Sequence, residues 1–300
     1  MSMIAISIEH ISKTYAGKQP IQALNDICLQ ISAGEIFGLI GPDGAGKTSL
    51  FRILTTLLFA DTGTAKVMNM DVVKDFRAIR NHIGYMPGRF SLYQDLSVEE
   101  NLRFFASVFG TTVEENYDMI RDIYVQIEPF RKRRAGKLSG GMKQKLALCC
   151  ALIHKPQVLF LDEPTTGVDP VSRKEFWEML KNIQSQGITI MVSTPYMDEA
   201  AKCDRIALIQ EGRILSVDTP AQIVNDFPYP LYAAKAKNNY HLLETIKGQK
   251  NIHSCYISGE YLHVIFKGND TYIDYPDIEI TETKPSIEDC FIQLMSHESN

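Results

Sequence analysis

The chain has 300 residues, of which 45% are hydrophobic and 22% charged. That length accommodates two ordinary domains with substantial cores, and the composition excludes collagen, coiled-coil rods and long disorder. A formal net charge of −5 offers no general attraction to a polyanion, which disfavours dedicated nucleic-acid binding. No apolar run is long enough to cross a bilayer, and the N-terminus lacks a basic-then-apolar leader, so the chain is expected in the cytosol. The six cysteines include no C-x-x-C pair and no histidine at ligand spacing, which argues against structural zinc or a disulfide framework. Cys149 and Cys150 lie in an apolar helical run and are expected in the core.

In chain order, residues 3–31 alternate as antiparallel strands, with Ile4, Ile6 and Ile8 on one face and Ile27, Leu29 and Ile31 on another. Residues 35–41 form a short apolar run that reads as a strand buried on both faces. A Gly-rich turn follows, and from Lys47 the spacing of Leu50, Ile53, Leu54, Leu57 and Leu58 predicts a helix. Residues 97–126 read as a helical insert opened by a Ser97/Glu100 capping box ahead of Leu102, Phe105 and Val108. Residues 158–161 and 188–192 are two further buried strands flanking a helix at 173–185, so alternating units predict a largely parallel sheet. A hairpin through 207–217 turns at Glu211-Gly212. The proline-bearing stretch 226–230 reads as a linker to a small α+β unit, with helices at 240–246 and 287–294 and strands at 254–258 and 261–266. The basic run 131–134 reads as a solvated surface.

Two motifs carry the chemistry. Gly41-Pro42-Asp43-Gly44-Ala45-Gly46-Lys47-Thr48 fits G-x-x-x-x-G-K-[ST] between a predicted strand and a predicted helix. Glycines let successive backbone N–H groups face phosphate oxygens, and the helix start adds its positive dipole end. Lys47 would reach the β- and γ-phosphates and the Thr48 hydroxyl would take a Mg²⁺ position, with Ser49 next in the cradle. The second motif is the apolar strand that delivers Asp162 and Glu163 at its C-terminal end, where ligands sit in open α/β sheets. Asp162 would hold Mg²⁺ through water, and Glu163 would orient or deprotonate the attacking water. Each motif has a bland alternative, a turn joining strand to helix and a solvated strand end.

Leu138-Ser139-Gly140-Gly141-Met142-Lys143-Gln144 makes a second anion-ready helix start. This string resembles the signature loop of the ATP-binding-cassette (ABC) ATPases. Its combination with the phosphate loop, Leu161-Asp162-Glu163-Pro164 and Gly167-Val168-Asp169 is specific to that family. The resemblance covers residues 3–222 and is closest to ATP-binding subunits of exporters for drugs, lipids or polysaccharides. It implies a P-loop NTPase of ABC type over 1–222, with an antiparallel β subdomain, a helical subdomain at about 89–154, and an accessory α+β domain at 230–300. It further implies ATP and Mg²⁺ as ligands, integral-membrane permease subunits as partners, and a peripheral position on the inner face of the cell membrane. In such proteins two cassettes pair head to tail. By that resemblance Tyr15 stacks on adenine, Ser139, Gly140 and Gly141 touch the γ-phosphate held by the opposite subunit, and Asp169 couples the two sites. Tyr15 alternatively covers the core as a strand-end aromatic.

The sequence departs from the family at two positions. Gly88 stands where the family carries a Gln near the Mg²⁺ site, and Pro195 where it carries a His near the γ-phosphate. Gly has no side chain, and Pro has neither an imidazole nor a backbone donor. Binding of Mg-ATP with slow turnover is therefore expected, with a heterodimer favoured over a homodimer because the intact signature loop could complete a site on a different cassette. The alternatives are a nucleotide-sensing ABC protein with little turnover and a soluble ABC ATPase not tied to transport.

Overall fold

The computed structural model describes residues 3–268 and 271–298. The chain divides into two compact units, Met1–Pro220 and Ala221–Asn300.

In the first unit, β1 (Ile4–Tyr15) and β2 (Ile21–Ser32) pair antiparallel, and Ile6, Ile8, Ile27, Leu29 and Ile31 are buried. The ladder slips between Ile8 and Ile11, where His10 and Asp26 take φ of 53° and 56°. These are bulges, and they reset the alternation so that Ile11 also points inward. After β3 (Ile36–Ile40) comes α1 (Lys47–Leu54), which buries Leu50, Phe51, Ile53 and Leu54 and sets the Phe51 ring edge-on to Phe160 at 5.9 Å. The helix is shorter than its apolar stripe predicts. Thr55 turns its hydroxyl back onto the Phe51 carbonyl and Thr56 takes φ 64°, so Leu57 falls outside the helix and is 56% exposed.

The chain continues through β4 (Thr62–Val67), β5 (Met70–Asp71), α2 (Phe76–His82) and β6 (Ile83–Met86). Then come α3 (Val98–Val108), α4 (Tyr117–Tyr124), α5 (Gly140–Leu152), β7 (Val158–Asp162), α6 (Pro170–Ser185) and β8 (Thr189–Thr194). The hairpin of β9 (Arg205–Gln210) and β10 (Arg213–Asp218) turns at Glu211-Gly212 as the sequence predicts. The reciprocal capping box also forms: the Ser97 amide donates to Glu100 Oε2 at 2.7 Å, and the Glu100 amide to Ser97 Oγ at 3.2 Å. The buried face of α3 is Val98, Asn101, Leu102 and Ala106, so Val108, expected inward, is exposed. Cys149 and Cys150 are buried, and burial pushes both thiols up.

Two sheets result, β2-β1-β4-β5 and β10-β9-β3-β8-β7-β6. In the second, β9, β3, β8, β7 and β6 run parallel, and every residue of β3, β7 and β8 is buried. The consequence is positional: the residues following β3, β6, β7 and β8 all emerge at one edge.

The second unit contains α7 (Pro220–Asn225), β11 (Leu231–Lys235), α8 (Asn239–Ile246), β12 (Ile252–Ser258), β13 (Tyr261–Phe266), β14 (Glu279–Thr283) and α9 (Ile287–Glu298). Its antiparallel sheet has the order β12-β13-β11-β14. Leu242 and Ile246 of α8 pack on Ala234, Leu262, Val264 and Phe266. On α9, buried Asp289 accepts hydrogen bonds from His263 Nδ1 at 2.6 Å and Tyr256 Oη at 2.7 Å through Oδ1, and from the Ser286 amide and hydroxyl through Oδ2. Burial alone would raise this carboxyl; the hydrogen bonds from His263, Ser286 and Tyr256 overcome it and hold Asp289 at about 2. A depressed folded-state value stabilises the unit above the unfolded carboxyl's pKa of about 3.9, and that stabilisation drains as pH falls toward 2. Asp289→Asn is therefore expected to lower the melting temperature at pH 7 and to flatten its fall between pH 4 and 2; equal acid sensitivity of variant and wild type would refute this role.

Candidate functional site

The phosphate loop begins where β3 leaves the sheet. Gly41 donates its amide to the Thr194 carbonyl at 3.2 Å, and a Cβ there would lie 2.1 Å from the Ile209 carbonyl oxygen. Gly46, the residue before α1, sits at φ 103° with its would-be Cβ 2.2 Å from the Ala23 carbonyl oxygen. No side chain fits either position, which is the physical content of the two fixed glycines. Between them Pro42 and Ala45 are covered to different degrees while Asp43 and Gly44 are exposed.

Lys47 is only 3% exposed. Its ammonium donates to the Gly41 and Pro42 carbonyls at 2.8 and 2.9 Å and stands 3.1 Å from Glu163 Oε1. The cation thus sits across the mouth of its own loop, between the amide cradle and the acidic strand end. The next residue, Thr48, donates its hydroxyl to Asp162 Oδ2 at 2.9 Å. Tyr15, at the end of β1, places its hydroxyl 3.1 Å from Ser49 Oγ and keeps its ring 37% exposed. Strand end, loop, helix start and acidic pair are therefore in one place.

Asp162 is buried at 2% exposure, and its second oxygen accepts from Ser193 Oγ at 2.6 Å. Ser193 also anchors the Glu163 amide through its hydroxyl at 3.0 Å and its carbonyl at 3.1 Å. Sequence reasoning missed Ser193; the signal was a Ser-Thr pair closing an otherwise apolar strand, legible only once Asp162 is registered opposite Ser193. Glu163 takes φ 50°, a left-handed conformation that costs a non-glycine residue about 1–2 kcal/mol. The anchored amide holds it there, turning the side chain toward Lys47. Nearby, burial first and the Asp162 charge second push the Tyr85 hydroxyl up to about 12, so it stays protonated.

The two departures, Gly88 and Pro195, follow strands β6 and β8. A Cβ on Gly88 would be 3.1 Å from the Asp162 carbonyl oxygen and 3.8 Å from Glu163 Cβ, so residue 88 abuts the acidic pair and offers it no side chain. Pro195 follows Thr194, whose hydroxyl donates to buried Glu199 at 2.6 Å; Glu199 also accepts from Thr165 at 2.7 Å. That carboxylate ties the end of β8 to the turn after β7, a link the sequence did not reveal.

Ser139 and Gly140 are exposed, and Ser139 caps α5 by accepting from the Met142 amide at 3.3 Å. Gly141 packs so closely on Ser172 that a Cβ would be 2.8 Å from its hydroxyl. Asp169 caps α6, accepting from the amides of Val171 and Ser172 at 3.1 and 3.0 Å, and the Ser172 bonds hold its carboxyl below the usual range. Among the described residues no hydrogen bond or ion pair joins 139–141 or Asp169 to the phosphate loop of the same chain.

The donor set of Thr48 and Asp162 is all oxygen, as Mg²⁺ requires, and their hydrogen bond at 2.9 Å keeps the two oxygens together where they would hold the ion. Backbone amides, a buried ammonium and a hard-oxygen pair together can take a polyphosphate with its metal.

Comparison with known proteins agrees with this geometry. The family model described as ABC transporter matches residues 24–166. The chain is 38% identical over 306 residues to the probable multidrug ABC transporter ATP-binding protein YbhF of Escherichia coli (strain K12), covering 98% of this chain and 53% of that protein, so it spans about half the length of that relative. It is 31% identical over 310 residues to the Nod factor export ATP-binding protein I of Rhizobium sp. (strain N33), covering 99% of each. A dimeric ATP-binding cassette in a post-hydrolysis state bound to ADP and Pi superposes with TM-score 0.65 at 25% identity, over 71% of this chain and 98% of that one. A glycine cradle in which only glycine fits and near full-length identity to an exporter ATP-binding protein lead to one assignment: the chain belongs to the ABC transporter family, as an ATP-binding cassette of its exporter branch.

Proposed function

We propose that this chain is the energy-coupling subunit of an ABC exporter, binding Mg-ATP at its own phosphate loop, turning it over slowly, and completing a faster site on a second, different cassette. The observation that carries this reading is the asymmetry around Asp162 and Glu163: the cradle, Lys47, Thr48 and both carboxylates are assembled, while positions 88 and 195 present no polar side chain. Thr48 and Asp162 would hold Mg²⁺, which when bound neutralises charge on the β- and γ-phosphate oxygens. Lys47 would exchange its Gly41 and Pro42 carbonyl partners for phosphate oxygens, freeing Glu163 Oε1 to accept a hydrogen bond from the attacking water. Tyr15 would lie under the adenine, and the exposed Ser139 and Gly140 and the half-buried Gly141, with Asp169, would meet the nucleotide of the opposite cassette.

Two features support a partner. The neighbouring solved cassette is dimeric, and YbhF is long enough beyond the matched part for a comparable second segment. No helix among the described residues is long and apolar enough to cross a membrane, and the proposed coupling is to a membrane permease. A groove of about 430 Å³ beside Gly88, lined by Phe90, Leu92, Phe105, Val108 and Phe109, is its proposed seat, with Tyr93 and Phe104 stacked edge-on at 4.8 Å next to it. The test is single-turnover hydrolysis by the purified chain. Slow cleavage, within about tenfold of Glu163→Gln, is expected; rapid cleavage that Glu163→Gln abolishes would overturn the impaired site and favour a working homodimer. Saturable Mg-ATP binding that no second cassette or permease stimulates would favour a nucleotide sensor instead.

A further inference from the structure

The absence of metal-ligand spacing in the sequence does not survive the pairing of β1 with β2. The bulges at His10 and Asp26 bring His10, Asp26 and Cys28 together, one ligand atom from each lying within 4.8 Å of the others. His10 Nδ1 is 2.7 Å from Asp26 Oδ1 and 3.6 Å from Cys28 Sγ. For tetrahedral Zn²⁺, with Zn–S of about 2.3 Å and Zn–N of about 2.0–2.1 Å, the S···N edge is about 3.6 Å, so one edge of the site already has its metal-bound length. The N···O edge must open by roughly 0.6 Å, which an exposed aspartate achieves by a small rotation. The remaining geometry is fixed from behind. The His10 amide donates to Cys28 Sγ at 3.3 Å, a contact that orients the sulfur, and the Asp26 amide donates to Ser12 Oγ at 3.0 Å. Both bulge residues hold left-handed φ, which sets the directions in which their Cα–Cβ bonds leave the strands.

We propose that His10, Asp26 and Cys28 form a three-ligand Zn²⁺ site with a fourth, solvent position open, separate from the nucleotide site. Imidazole, carboxylate and thiolate in one set select a zinc-class ion over Mg²⁺ or Ca²⁺. On binding, the Cys28 thiol releases its proton to solvent, and His10 presents the Nδ1 lone pair with its proton on Nε2. The ion takes the place of the hydrogen bond now linking His10 to Asp26 and fastens β1 to β2 at the point where their ladder slips. This inference does not depend on whether the chain hydrolyses ATP.

The test uses the full, tag-free chain, stripped with a chelator and titrated with Zn²⁺ or Co²⁺ in excess Mg²⁺ and without nucleotide. One ion per chain is expected, with a thiolate-to-cobalt charge-transfer band that Zn²⁺ displaces and a rise in melting temperature with Zn²⁺. Cys28→Ser should remove the band, and Cys28→Ser, His10→Asn and Asp26→Asn should each weaken Zn²⁺ binding by at least the roughly 10–100-fold that loss of an outer-shell partner costs. Asparagine is chosen at 10 and 26 because it tolerates positive φ, so the bulges persist. Cys255→Ser, a partly exposed thiol elsewhere, should change nothing. No saturable binding, leaving the three as a plain surface hydrogen-bonded cluster, or tight binding that persists in Cys28→Ser and His10→Asn, overturns the site.

Discussion

Lys47→Ala is expected to weaken Mg-ATP binding at least about 100-fold, roughly 2.7 kcal/mol, while leaving the chain folded. The ammonium is the cation that faces both the carbonyl side of the loop and the Glu163 carboxylate. Its removal takes away a charge-assisted partner for the terminal phosphates, worth about 1.5–3 kcal/mol per hydrogen bond, and also leaves Glu163 uncompensated toward an incoming polyanion. Both effects act in the same direction. The fold should survive because α1 is held by Leu50, Phe51, Ile53 and Leu54, none of which touches this charge balance, and because Glu163 is partly exposed and can turn to solvent. Calorimetric titration with Mg-ATP, alongside circular dichroism to confirm folding, reads both parts. Unchanged affinity in a folded Lys47→Ala chain would remove the phosphate loop from the binding site.

How much of this was legible beforehand follows from the range of the interactions involved. The phosphate loop lies between β3 and α1 because strand, turn and helix signals are all local, spread over fewer than twenty consecutive positions. The capping box at Ser97 and the hairpin at Glu211-Gly212 are local as well, and both form. What escaped notice depends on register. Ser193 becomes Asp162's partner only because β7 and β8 pair in parallel with those two residues opposite, and periodicity within either strand is silent about that. His10, Asp26 and Cys28 are sixteen and eighteen positions apart and meet because two bulges shift the ladder between them. Strand β11 lies in the middle of its sheet yet reads Leu-Tyr-Ala-Ala-Lys, too alanine-rich for strand propensity, and β14 is a polar edge; pairing with neighbours decides both. The stripe at 50–58 predicts a longer helix than Lys47–Leu54 because periodicity counts side chains and ignores the two threonines that close the helix.

The double substitution Gly88→Gln and Pro195→His should raise single-turnover hydrolysis about 10²–10⁴-fold, the usual worth of a positioned acid–base group, with each single substitution giving less than half of that gain on a logarithmic scale. The two sites are not equally ready to accept a side chain. At 88 a Cβ meets the Asp162 carbonyl oxygen at 3.1 Å, so the loop after β6 must give by a few tenths of an ångström before a glutamine can reach the acidic pair. At 195 the preceding residue is pinned, since the Thr194 carbonyl accepts from Gly41 and its hydroxyl donates to Glu199. A histidine there inherits a fixed departure point and regains a backbone donor that proline lacks. Because Glu163 is the group through which water would be activated, adding Glu163→Gln to the double variant should cancel the gain. A double variant that binds Mg-ATP as tightly as wild type yet cleaves it within threefold of the wild-type rate would mean that positions 88 and 195 do not limit turnover, and that slow hydrolysis, if observed, originates in the strained backbone of Glu163 or in the missing partner cassette.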